Sequence, residues 1–186
     1  MNIPTTSNAK KSLFLSTIGF IVTFASWGII SGLSPLLKQS LALSATQTSI
    51  MLAIPVLLAA VGRIPMGILT DRFGGRLVFS LLLILGIVPS LALSINHAYT
   101  SLLFWGLWLG MAGTSFAVGI TFISQWFPPE KQGTVLGLFG IGNVGQSLAV
   151  LLGPMLAGTI GISKTFLVFG WALLHEYFLG PNLLDF

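Results

Sequence analysis

The sequence predicts an all-α integral membrane protein with six transmembrane helices, and three observations predict it. Apolar residues make up 54% of the chain and charged residues only 6%, against roughly 25% charged in soluble proteins. Mean hydropathy is +0.97. The apolar residues gather into six stretches, each long enough to cross a hydrocarbon core about 30 Å thick.

A polar tail over 1–12 precedes the first stretch, which runs from about 13 to 37. Lys10 and Lys11 ahead of it give the outline of a secretory leader. The run is too long for a leader core, and no small-x-small site closes it, so it reads as an uncleaved span. The second stretch, 48 to 70, holds Pro55 and Pro65, two expected kinks whose freed carbonyls need neighbours or water. The third covers 77 to 95. The fourth, 101 to 125, carries Gly106, Gly110 and Gly113 on one small face, with Phe116 and Gln125 beyond them. The fifth, 133 to 158, is the richest in glycine: Gly133, Gly137, Gly140, Gly142, Gly145 and Gly153. The sixth, 165 to 184, opens apolar but meets His175 and Glu176 halfway, and polar residues at that depth are functional or misplaced. With Pro181 and the end at Phe186 close behind, the expectation is a truncated product whose last dozen residues depart from the original reading.

The connections are short, as between antiparallel neighbours. With a cytoplasmic N-terminus, the inner segments hold Lys10, Lys11, Arg72, Arg76 and Lys131, and the outer loops only Lys38 and Lys164. That bias follows the positive-inside rule and returns the C-terminus to the cytoplasm. The net charge of +4 is therefore a statement about topology, and no nucleic-acid partner is expected. Of the five tryptophans, Trp126 sits clearly at a span end. The absence of cysteine excludes disulfides and thiolate metal sites, and the two histidines have no ligand spacing. No metal, cofactor or catalytic residue is expected. His97, in an outer connection, is expected to be solvated.

Arg63 stands inside the second span, eight residues before Asp71. At 1.5 Å per residue it is roughly 12 Å from that helix end. A guanidinium at such depth costs about 2.5 to 3.5 kcal/mol on insertion scales and cannot deprotonate. It either snorkels to the interface and neighbouring carbonyls, or faces a polar cavity and awaits an anion. No acid in the first five spans neutralises it, which favours the anion. Its planar fork matches nitrate, nitrite, phosphate or a carboxylate equally well.

The span then closes in Asp71-Arg72-Phe73-Gly74-Gly75-Arg76. An acid at a helix C-terminus opposes the macrodipole, so Asp71 is expected to serve another helix's N-terminus or to pair with Arg72 or Arg76. Gly74 and Gly75 permit the reversal. In the fifth span Gly140, Gly142 and Gly145 spell a dinucleotide fingerprint, but no strand precedes them and Lys164 stands where an acid is needed. The glycines instead repeat at spacings that let helix backbones approach closely. Asn143 among them either bonds a neighbouring helix or lines a pathway.

Gly62-Arg63-Ile64-Pro65-Met66-Gly67 followed by Asp71 to Arg76 resembles the segment between spans two and three of the major facilitator superfamily. The intramembrane arginine, the glycine and asparagine run from Gly137 to Gly145, and Phe127 to Gly133 are similar to its nitrate/nitrite porter family. The resemblance covers the chain to about residue 174. It implies that Arg63 hydrogen-bonds the anion, with Phe116 as an aromatic wall and Asn143 as a polar contact. It implies that Asp71, Arg72, Gly74, Gly75 and Arg76 form a gate element, and that Gly133, Gly137, Gly140, Gly142 and Gly145 let helices slide or rock. The fold implied is the N-terminal six-helix half of a twelve-span transporter, with the C-terminal half absent. Alternating access needs two halves, so a second copy or a separate C-terminal half is the expected partner. The expected setting is the bacterial inner membrane and nitrate assimilation. A carrier of another solute, such as an organic anion or a drug, and a non-transporting interaction bundle are the alternatives.

Overall fold

The computed structural model describes residues 6–180, and they form helices joined by short links. In order these are α1 (Thr6–Ser40), α2 (Ala45–Phe73), α3 (Gly75–Ile95), α4 (Tyr99–Leu109), α5 (Ser115–Ser124), α6 (Pro129–Gly140), α7 (Val144–Ile160) and α8 (Ile162–Leu179). Short 3-10 segments, Gly110–Thr114 and Ile141–Asn143, join α4 to α5 and α6 to α7. Five segments are long and apolar enough to cross a membrane: Asn8–Ser40, Ala45–Phe73, Gly75–Ile95, Tyr99–Ser124 and Pro129–Ile160.

The helices differ in detail from the apolar stretches. The first helix starts at Thr6, so Lys10 and Lys11 of the polar tail sit on exposed positions of α1. The fourth and fifth apolar stretches are each broken by a 3-10 segment, which tightens the helix locally and marks a place where it can hinge. The sixth stretch, α8, has 18 residues. It is not among the five apolar enough to cross, because Lys164, His175 and Glu176 dilute it. The expected continuation of that stretch to 184 lies outside the described residues beyond 180.

Local chemistry sets the helix ends. Ser44 Oγ accepts from the Gln47 N–H while the Ser44 N–H donates to Gln47 Oε1 at 2.9 Å, a capping box that starts α2. Pro129 opens α6 at a position whose N–H would lack a helical partner. A single residue, Gly74, links α2 to α3 with φ +83°, ψ 151°, a region that residues with a Cβ rarely enter. Gly75 is required for a different reason, because a Cβ there would collide with the Phe122 ring. Hydroxyls within the bundle bond back to their own helices, as Thr70 Oγ1 does to the Met66 carbonyl at 2.7 Å.

Helix α1 packs against every other helix, most extensively α7, while α3 lies along α8. Lipid tails are as apolar as leucine, so tight packing and not hydrophobic exclusion holds helices together in a bilayer. The glycines show how. A Cβ at Gly145 would strike the Ile21 carbonyl, one at Gly142 the Phe20 ring, and one at Gly32 the Ala149 carbonyl. α1 and α7 thus meet backbone to backbone.

The glycines of the fifth stretch fall into two sets. Gly142, Gly145 and Gly153 face α1, but a Cβ on Gly133, Gly137 or Gly140 meets nothing within 4 Å. The 3-10 segment at Ile141–Asn143 begins directly after Gly140 and contains Gly142. The glycines of the fourth stretch do not match the fifth either. Gly110 lies on the Pro55 backbone, Gly106 beside Ile30 and Pro55, and Gly113 against Ala59 and Trp27. Helical spacing identifies the small faces but not the neighbours they meet.

Candidate functional site

Helix α2 buries a single strip, Met51, Pro55, Ala59, Gly62, Met66 and Thr70. Its other side is open and greasy, with Val56, Val61 and Ile64 exposed. Arg63 lies on that open side. Among the described residues it has no ion pair, hydrogen bond or ring contact. Its neighbour Gly62 is seated on Thr114 and Met111 of the first 3-10 segment. Arg63 therefore rides on a helix anchored against that hinge.

Phe116 is half-buried just past the same segment. It lies parallel to Phe139 of α6, centroids 6.1 Å apart at 10°, and 5.5 Å from Phe20 of α1. Phe20 in turn stacks on Phe139 at 4.7 Å and stops against Gly142. The aromatic wall is thus a three-helix cluster. Asn143, next to Gly142, is exposed and donates from Nδ2 to the Gly140 carbonyl at 2.9 Å. That bond stays within its own turn and does not reach a neighbouring helix. An amide has two N–H donors, so one remains for a ligand. The structure joins Phe116 and the Asn143 turn through this ring cluster, and it leaves Arg63 separate on α2.

The structure adds residues that hydropathy did not single out. Trp27 and Ser31 of α1, Pro55 of α2 and Gln146 of α7 line a cleft of about 20 Å³, room for about one water. The Trp27 Nε1–H donates to the Pro55 carbonyl at 3.4 Å. Gln146 follows Asn143 by three positions on a helical face, a signal that was readable. The buried Thr23 Oγ1 donates to Ser115 Oγ at 2.8 Å, tying α1 to the start of α5. No sequence pattern foretells that pair, since 92 positions separate its members.

Asp71 is exposed and, among the described residues, forms no ion pair with Arg72 or Arg76, contrary to one of its expected roles. The helix runs on to Phe73, which distributes the three side chains around the last turn of α2 and the first of α3 instead of into one compact loop. Glu176 is buried beside Gly19, Ser16 and Phe79, while His175 is exposed near Trp171. His97, expected to be solvated, is half-buried, and its Nδ1 is shielded without a hydrogen-bond partner. Among the described residues no group of His, Asp and Glu is placed to hold a metal ion.

The Major Facilitator Superfamily model matches residues 15–175. The chain is 40% identical over 153 residues to the probable nitrate/nitrite antiporter NarK1 of Thermus thermophilus, covering 82% of this chain and 34% of that protein. It is 38% identical over 165 residues to the probable nitrate/nitrite transporter NarK2 of Mycobacterium tuberculosis, covering 87% and 42%. It is 37% identical over 159 residues to the probable nitrate transporter NarT of Staphylococcus carnosus, covering 86% and 41%. The chain thus spans between a third and a little over two fifths of these relatives' length.

Proposed function

This chain belongs to the major facilitator superfamily, and on that premise we propose that it is one six-helix half of a nitrate/nitrite transporter working by alternating access. α8 makes the sixth crossing. Arg63 binds the anion through its fork, Phe116 forms the aromatic wall, and Asn143 lends its second amide N–H. The observation that carries this reading is Arg63 itself, a permanent cation on an apolar helix face with no protein partner among the described residues. Such a charge calls for a mobile anion or another bundle.

The open stripe at Gly133, Gly137 and Gly140 supports the second requirement. Small residues at that spacing admit a close helix, so a further bundle, from a longer chain or a second copy, packs there and against α2. The breaks at Gly110–Thr114 and Ile141–Asn143 give α4–α5 and α6–α7 places to bend as the halves rock. Asp71 to Arg76 act as the gate at the cytoplasmic end, with both termini on that side of the inner membrane.

The test is uptake of labelled nitrate and nitrite by cells lacking their own carriers, expressing this bundle with a complementary half. Saturable uptake that organic carboxylates fail to inhibit supports the proposal. Uptake blocked by carboxylates in preference to nitrite assigns another anion.

A further inference from the structure

At the end of the bundle opposite Asp71, a cavity of about 510 Å³ opens between the end of α1, the α3–α4 link and the α7–α8 link. Its lining combines apolar residues, Leu36, Ala157 and Ile162, with polar ones, Gln39, His97 and Ser163. The volume is many times that of nitrate or phosphate, so a small anion would leave most of it, and its apolar lining, unfilled. We propose that this cavity holds the headgroup and glycerol region of an anionic phospholipid.

Four further features fit that occupant. No side chain caps the N-terminus of α8. The first helical backbone bond there is from the Thr165 N–H to the Gly161 carbonyl at 3.1 Å, so the N–H groups of Ile162, Ser163 and Lys164 have no acceptor within α8 and point beyond its end. Lys38 and Lys164, both exposed, are the chain neighbours of the lining residues Gln39 and Ser163. His97 brings unmet hydrogen-bonding capacity to the wall through its shielded Nδ1. The three described acids, Asp71, Glu130 and Glu176, all lie toward the other end of the bundle. Flanking positive charge, free donors and apolar lining therefore occur at the same end of the bundle, where the hydrocarbon gives way to headgroups.

The experiment is native mass spectrometry of the purified chain titrated with phosphatidylglycerol or phosphatidylcholine. Phosphatidylglycerol binds preferentially, and Lys38→Ala combined with Lys164→Ala weakens it about 30-fold. Lys131→Ala, at the opposite end, leaves it unchanged. Gly158 lines the cavity and a Cβ there meets nothing within 4 Å, so Gly158→Leu plugs the site and removes the bound lipid without lowering the melting temperature. Equal binding of the two lipids, or insensitivity to both the lysine and the Gly158 changes, overturns the proposal. So does displacement by inorganic phosphate, which marks a site for a free anion.

Discussion

The indole of Trp27 reaches across from α1 to the carbonyl of Pro55 on α2, Nε1 to O, at 3.4 Å. Pro55 has no N–H, so the helix loses one backbone bond at this point. Gly110 and Gly113 press in from the facing 3-10 segment. Three helical segments thus converge on one proline, about two turns from Arg63 along α2. The bond is long, and Trp27→Phe is expected to cost no more than about 1 kcal/mol. Gly113→Ala, whose Cβ would crowd Ala59 and Trp27, is expected to cost about 1 to 3 kcal/mol. Thermal unfolding of both variants in detergent checks the order.

The glycines of the fifth apolar stretch are expected to respond in two opposite ways. Gly145→Ala and Gly142→Ala collide with α1 and lower stability by about 1 to 3 kcal/mol. Gly137→Ala and Gly133→Ala enter open space and raise helix stability by up to about 1 kcal/mol each. Thermal melts of the four single variants of this chain check the split. If the proposed further bundle packs on that stripe, the open-side pair also reduces transport by the assembled halves.

The Thr23 to Ser115 bond is, among the described residues, the side-chain link between distant helices whose two members are both fully buried. Ser115→Ala leaves the Thr23 hydroxyl with its own helix carbonyls, Gly19 and Phe20, as acceptors. The expected loss is therefore small, about 0.6 kcal/mol. A double-mutant cycle with Thr23→Val measures it.

Asp71→Asn is expected to leave the melting temperature of this chain unchanged, since Asp71 is exposed and has no ion-pair partner among the described residues. The same change should slow transport by the assembled halves if Asp71 serves the gate. A lowered melting temperature in the isolated chain would instead give Asp71 a structural role.

Hydropathy made the bundle readable because about 20 apolar residues in a row have few destinations other than a membrane. The charges told equally well: Arg63 stood out by its cost. What the sequence hid were the partners of each face. Gly137 and Gly145 share one apolar stretch, yet one faces space and the other the Ile21 carbonyl, because at about 100° per residue Gly133, Gly137 and Gly140 fall on one side of the helix and Gly142, Gly145 and Gly153 on the other. The 3-10 breaks were hidden too, since Gly110 and Gly142 look like any other packing glycine. His97 looked like a loop residue, and only the tertiary structure brings it into the lining of a cavity.

The assignment of Arg63 as the anion ligand is tested most directly by the affinity for nitrate of the assembled transporter with Arg63→Gln and Arg63→Lys, each checked for an unchanged melting temperature. Loss of the charge is expected to weaken binding about 30-fold or more, and lysine, which keeps the charge but not the fork, to restore only part of it. Wild-type affinity in the Arg63→Gln protein would remove Arg63 from the anion site.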